Sequence, residues 1–102
     1  MVKDIKDQEF NELTAEGFVF VDFWAPWCGP CRMQSPVIED LSQEMDAVTF
    51  YKMNVDDEVK TAQEFGIMSI PTMILKKDGQ VVEKIVGFHD KNRLKSIIEA
   101  HQ

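Results

Sequence analysis

The chain has 102 residues, 44% of them apolar, with 18 acidic against 11 basic side chains and a formal charge of −7. That length fits one domain, residues 1–102, with a core of its own. The acidic balance and the lack of a Lys/Arg stripe argue against a nucleic-acid partner, so solubility is the plain meaning of the charge.

The longest apolar run, Phe18 to Trp27, is interrupted by Asp22 and is too short to cross a bilayer. The first residues, Met1 to Asp7, carry no apolar segment of the secretory kind. No membrane association and a cytoplasmic location are therefore expected. A reducing compartment also suits a dithiol that must be recharged.

In chain order, Val2 to Ile5 reads as a short edge strand. Asp7 is expected to cap a helix from Gln8 to Ala15, stopped by Gly17. Phe18 to Phe23 is nearly continuous in apolar residues, as in a strand buried on both faces. Alternation puts Phe20, Asp22 and Trp24 on one side and Val19, Val21 and Phe23 on the other. After Cys31 the period changes. Met33, Val37, Leu41 and Met45 recur every four residues, with Ile38 thickening the stripe, and predict a helix from Pro30 to Met45 that Pro36 should bend. Val48 to Met53 is the next strand and Val59 to Phe65 a short helix closed by Gly66. Thr72 to Lys76 and Gln80 to Val86 flank Asp78-Gly79, a strong hairpin signal. Asp90 can cap a last helix with Leu94, Ile97 and Ile98 inward. The order β-α-β-α-β-α-β-β-α predicts an α/β fold with a mixed sheet.

The chemistry centres on Cys28-Gly29-Pro30-Cys31, which holds the only two cysteines. A strand delivers them to a helix start, where free N–H groups and the helix dipole favour a thiolate. Cys28 is expected to be the exposed nucleophile and Cys31 the enclosed resolving thiol. Gly29 keeps the approach open, and Pro30 lacks an N–H where none is needed. Arg32 adds positive charge. A zinc site would need about four ligands. There is no second cysteine pair, and His89 and His101 lack ligand spacing. A purely structural disulfide over so short a loop would stabilise little.

Asp22 is an expensive residue to bury in such a strand. Either it is structural, hydrogen-bonded locally or set in a strand less buried than it looks, or it is a proton acceptor for Cys31, since burial raises a carboxyl pKa toward neutrality. Lys52 either pairs with Asp22 or snorkels to the surface. Ile70-Pro71 is a candidate second wall. Most X–Pro bonds are trans, so the residues alone leave trans as the default.

The run Trp24-Ala25-Pro26-Trp27-Cys28-Gly29-Pro30-Cys31, with Asp22 behind it, resembles the thioredoxin family. Lys52, Asn54-Val55-Asp56, Gly66-Ile67, Ser69-Ile70-Pro71-Thr72, Gly79 and Gly87 extend the match over nearly the whole chain. The resemblance implies a three-layer α/β/α fold with a five-stranded mixed sheet and four helices. It implies a cis Pro71, a buried acid at Asp22 with Lys52 as neighbour, and substrate docking across Trp27, Ile70, Pro71 and Gly87. It further implies a monomeric protein disulfide reductase with no bound cofactor or metal, recharged from NADPH through a separate flavin-containing thioredoxin reductase. Implied clients are ribonucleotide reductase, methionine sulfoxide reductase and thiol peroxidase.

Arg32 stands where the family more often has lysine. Met68 and Phe88 are apolar where polar or small residues are common. Either they enlarge the docking rim or they pack locally. Two other functions fit the fold: a thiol oxidant or disulfide isomerase, against which Gly29-Pro30 argues, and a non-catalytic binding subunit.

Overall fold

The computed structural model describes residues 1–102. Nine elements follow in order: β1 (Lys3–Asp4), α1 (Asp7–Leu13), β2 (Phe18–Trp24), α2 (Gly29–Glu44), β3 (Val48–Asn54), α3 (Val59–Glu64), β4 (Thr72–Lys77), β5 (Gln80–Val86) and α4 (Lys91–Glu99). The five strands form one sheet in the order β1-β3-β2-β4-β5. β1 and β2 run parallel to β3, while β4 is antiparallel to both β2 and β5. Helical crossovers force the first set, and the hairpin forces the last.

β2 is central, and its side chains divide as its alternation predicts. Phe20 packs with Ile38 and Leu41 of α2 and with Leu94 and Ile98 of α4. Val19, Val21 and Phe23 pack on the opposite face with Phe10 of α1 and Ala62 of α3. Phe20 and Phe23 are fully buried, each contributing about 1.5–3 kcal/mol of transfer free energy. These two clusters make the layers helix–sheet–helix.

The hairpin tip has Asp78 at φ 49° and Gly79 at φ 85°, the pair of positive φ angles that a type I′ turn requires. A Cβ on Gly79 would lie 3.1 Å from the Ala15 carbonyl oxygen. Asp78 and Gly17 tie the tip down: Gly17 N–H donates to Asp78 Oδ1, and Asp78 N–H to Gly17 O, both at 2.9 Å.

α1 departs from expectation at both ends. It starts at Asp7 with Lys6 as the preceding cap position, and it stops at Leu13 rather than Ala15. The Asp7 carboxylate instead accepts N–H bonds from Lys60 (3.2 Å) and Thr61 (2.8 Å) in the first turn of α3. Glu58 accepts from Asp7 N–H at 2.9 Å. Each helix start is thus capped by a carboxylate from the other. Burial pushes the Asp7 pKa up, but hydrogen bonds from Thr61 and Lys60 outweigh it and hold the carboxyl below its usual range.

α2 continues through Pro36 as one helix. Its buried face is Cys31, Gln34, Ile38 and Leu41, whereas Met33 of the expected stripe is 61% exposed. Lys76, expected merely to end a strand, is buried. Its ammonium donates to Thr14 Oγ1 at 2.8 Å and sits 4.8 Å from the Phe10 ring centre.

Candidate functional site

β2 ends at Trp24, and four residues later Cys28 caps α2 in extended conformation. Gly29 and Pro30 fill the first two helical positions, where N–H groups have no intrahelical acceptor, so the missing proline N–H costs nothing. Cys31 comes next, and its N–H donates to Cys28 Sγ at 3.1 Å. The Cys28 sulfur therefore does the work of a capping oxygen. The two cysteines are joined as a disulfide, with Cα atoms 5.2 Å apart.

The expected difference in exposure is absent, since Cys28 is 4% and Cys31 3% exposed. Ala25, Trp24, Val55 and Ile70 pack around the pair. What distinguishes the two sulfurs is polar contact: the Cys28 sulfur alone receives the helix N–H.

The facing wall is the Ile70–Pro71 bond, which is cis. It brings Ile70 O to 3.7 Å from Cys28 Sγ. Pro71 is buried, and its carbonyl accepts the Gly87 N–H at 2.8 Å. Gly87 has φ 86°, a conformation that an L side chain would strain. Phe88 is 41% exposed beside it.

Trp27 is 67% exposed, and its indole N–H reaches both Asp56 carboxylate oxygens at 3.1 Å. Asp56 is fixed in turn by its N–H on Asn54 Oδ1 at 3.0 Å. A shallow groove runs along Trp27, Val55, Ile67, Met68, Ser69 and Ile70. Met68 is 97% exposed there. Arg32 turns back to donate to Pro26 O at 3.1 Å.

Beneath the cysteines lies a cavity of 120 Å³, lined by Asp22, Trp24, Ala25, Cys31, Arg32, Ser35 and Lys52. It is roomy enough for ordered water among polar partners. Asp22 is 3% exposed, and its Oδ1 has no hydrogen-bond partner. Of its two readings, the structural one finds neither a local hydrogen bond at that atom nor a strand less buried than it looks.

Desolvation raises the Asp22 pKa to about 7; the Lys52 charge opposes this and the Asp4 charge assists it. Lys52 is the register partner of Asp22 on β3, yet it makes no direct ion pair with it. Its ammonium lies 5.5 Å from the Trp24 ring centre. Lys52 therefore acts on Asp22 through its field, across the cavity that both line.

Cys28, Cys31, Asp22, Trp27, Gly29, Pro30, Lys52, Ile70 and Pro71 thus gather at one end of β2, with Gly87 and Phe88 joined through Pro71 O. Two supporting residues were not singled out from the sequence. Asp56 had a signal in its place within Asn54-Val55-Asp56. Gln34 had none, because a polar residue on a helix reads as solvated. No group of three or more His, Cys, Asp and Glu side chains has the arrangement of a metal site, and no helix is long and apolar enough to cross a membrane.

The chain matches a family model described as thioredoxin over residues 1–100. It is 49% identical over 102 residues to a thioredoxin of Listeria monocytogenes, covering 99% of each chain. It is 51% identical over 96 residues to a thioredoxin of Bacillus subtilis, covering 93% of this chain and 92% of that one. Among solved structures, a thioredoxin of Malassezia sympodialis superposes with a TM-score of 0.90 at 40% identity, covering 99% of this chain and 90% of that one.

Proposed function

As a member of the thioredoxin family the chain is a thiol–disulfide oxidoreductase, and we propose that it works as a reductant of protein disulfides, with Cys28 as nucleophile and Cys31 as resolving thiol. One observation carries the reading. The Cys28–Cys31 pair closes at the start of α2, with the cis Ile70–Pro71 wall on one side and the unpartnered Asp22 carboxyl in a cavity on the other.

In the proposed cycle the reduced Cys28 thiolate attacks one sulfur of a client disulfide. A mixed disulfide forms and the client's other sulfur leaves as thiolate, which takes up a proton. The Cys31 thiol gives its proton to ionised Asp22, directly or through water in the cavity. The Cys31 thiolate then attacks Cys28 Sγ, and the second client thiolate leaves and is protonated. Two electrons pass to the client, and Cys28–Cys31 is left as the disulfide seen here. The pKa of about 7 suits Asp22 to accepting and returning a proton near neutrality.

Trp27, Ile70, Pro71 and Gly87 form the docking face, with Phe88 at its rim. A client strand pairing with the backbone beside Pro71 would bring its sulfur to Cys28. Residues 1–102 serve as one monomeric unit in a reducing, cytoplasmic setting. A thioredoxin reductase supplies electrons from NADPH, and clients include ribonucleotide reductase, methionine sulfoxide reductase and thiol peroxidase.

The test is insulin-disulfide reduction coupled to thioredoxin reductase and NADPH, with the redox potential measured alongside. Thioredoxins in general provide the yardstick of about −270 mV, against about −120 mV for a strong periplasmic oxidant. Turnover with a potential near the former is expected. A potential near the latter would reassign the protein as an oxidant.

A further inference from the structure

Gln34 is 0% exposed on α2, one turn beyond Cys31. Its carboxamide makes two bonds to a single residue 55 positions away. His89 N–H donates to Gln34 Oε1 at 2.8 Å, and Gln34 Nε2 donates to His89 O at 2.9 Å. The amide orientation is set by the partners, because a backbone N–H can only donate and a carbonyl can only accept.

From His89 the connections run to the active-site wall. The His89 ring Nδ1 lies 3.0 Å from Gly87 O, a contact in which the ring N–H donates. Gly87 N–H donates to Pro71 O at 2.8 Å. On the other side, Asp90 anchors α4 by accepting Arg93 N–H at 2.8 Å. The segment Gly87–His89 is thus tied to Pro71, to α2 and to the start of α4. An apolar side chain at position 34 would fill the space as well. An amide matched at both ends adds a fixed distance between α2, which carries the cysteines, and the loop that meets Pro71.

We propose that Gln34 is a positioning residue. Its clamp on His89 sets the Gly87–His89 loop and the Pro71 wall relative to Cys28, and so governs how well a protein disulfide docks. The proposal rests on the disulfide-reductase reading above, with docking across Trp27, Ile70, Pro71 and Gly87. It places the effect in binding and leaves the thiol chemistry to Cys28, Cys31 and Asp22.

The test uses the full chain with two substitutions. Gln34→Met keeps the volume and removes both bonds. Gln34→Glu keeps the acceptor for His89 N–H and regains a donor for His89 O only when protonated. With insulin, reductase and NADPH, Gln34→Met should raise KM about three- to tenfold while kcat changes less than about twofold. Amide exchange at Gly87 and His89 should accelerate about tenfold or more beyond any change in global stability. For Gln34→Glu the KM gap to the parent should narrow between pH 8 and pH 6, a signature that simple packing would not give.

Unchanged KM with unchanged exchange at Gly87 and His89 would overturn the clamp, as would a fall in kcat at constant KM. If Gln34→Met does not fold, the pH dependence of Gln34→Glu decides, and a pH-independent KM gap overturns the proposal. A parent protein unable to reduce insulin would instead refute the reductase reading on which the proposal stands.

Discussion

Replacing Asp22 by Asn separates the thermodynamic cost of the buried carboxyl from its chemistry. Burial raises this group from 3.8 to about 7 in the folded protein, while the unfolded chain keeps a value near 3.8. Between those values the folded state holds a proton that the unfolded state has released, so stability falls as pH rises through that window and levels off above pH 7. About three pKa units correspond to about 4 kcal/mol once the group is ionised in both states. Roughly 1.5 kcal/mol of that is already expressed at pH 5, so the step from pH 5 to pH 8 carries about 2–3 kcal/mol.

Asn has its own burial cost, but it does not titrate and so cancels from the pH difference. In the disulfide form the thiols do not titrate either. In denaturant melts of both oxidised proteins the stability difference should therefore move in favour of Asp22→Asn by about 2–3 kcal/mol from pH 5 to pH 8, or about 10–20 °C in Tm for a chain of this size, whatever the offset at pH 5. Stability curves that run parallel from pH 5 to pH 8 would refute the raised pKa. With the same variant, resolution of a mixed disulfide should slow about tenfold or more near pH 7. An unchanged single-turnover rate from pH 6 to pH 8 would remove Asp22 from the proton transfer.

Other outcomes follow from the same geometry. Cys31→Ser should accumulate mixed disulfides with clients, seen as gel-shifted species that reductant dissolves, because attack can start and resolution cannot; native release rates would contradict the two-step cycle. In the reduced protein limiting alkylating agent at neutral pH should label Cys28 first, since its sulfur receives the Cys31 N–H at the helix start; mass mapping that finds Cys31 faster would reverse the roles. Asp7→Ala should cost about 1–3 kcal/mol by leaving the Lys60 and Thr61 N–H groups without their acceptor. Because the Asp7 pKa is depressed, that difference should shrink as pH falls through its folded value, and an acid titration of both proteins checks it. Lys76→Met should be neutral or raise Tm, because desolvation draws the ammonium pKa down and only Glu64 opposes it; a loss above about 2 kcal/mol in a denaturant melt would show that the Thr14 contact outweighs the burial cost.

The features legible in the sequence were those set by neighbours along the chain. The two faces of β2 follow from a period of two, the hairpin from Asp78-Gly79, the α4 cap from Asp90 and the dithiol from Cys28 and Cys31 at a strand-to-helix junction. Contacts across the fold were not legible. Asp7 looks like a local cap because its chemistry suits one, yet its carboxylate serves α3. The α2 stripe failed for a geometric reason. Steps of four residues each turn about 40° past a full circle, so three of them carry the line about 120° around the helix. Leu41 and Met45 are buried, whereas Met33 at the other end is exposed. The true face instead includes Gln34, whose partner is the backbone of His89 and leaves no trace in composition. The β2–β3 register sets Lys52 opposite Asp22, but the direct ion pair, one of the two expectations for Lys52, does not form, because the ammonium comes to rest near the Trp24 ring.

The place of β2 in the sheet has a consequence for synthesis of the chain. One edge of β2 is matched by β3, whose last residue is Asn54, but the other waits for Thr72–Lys77. While the polypeptide emerges from its N-terminus, the backbone N–H and C=O groups of Phe18 to Phe23 on that side have no partner until some seventy residues have been made. This is the most apolar strand in the protein, and an open apolar edge is a template for pairing with other chains. Interrupted translation products ending before Thr72 will therefore be the adhesive species, and the hairpin that closes the sheet is also what makes the newborn protein safe at high concentration.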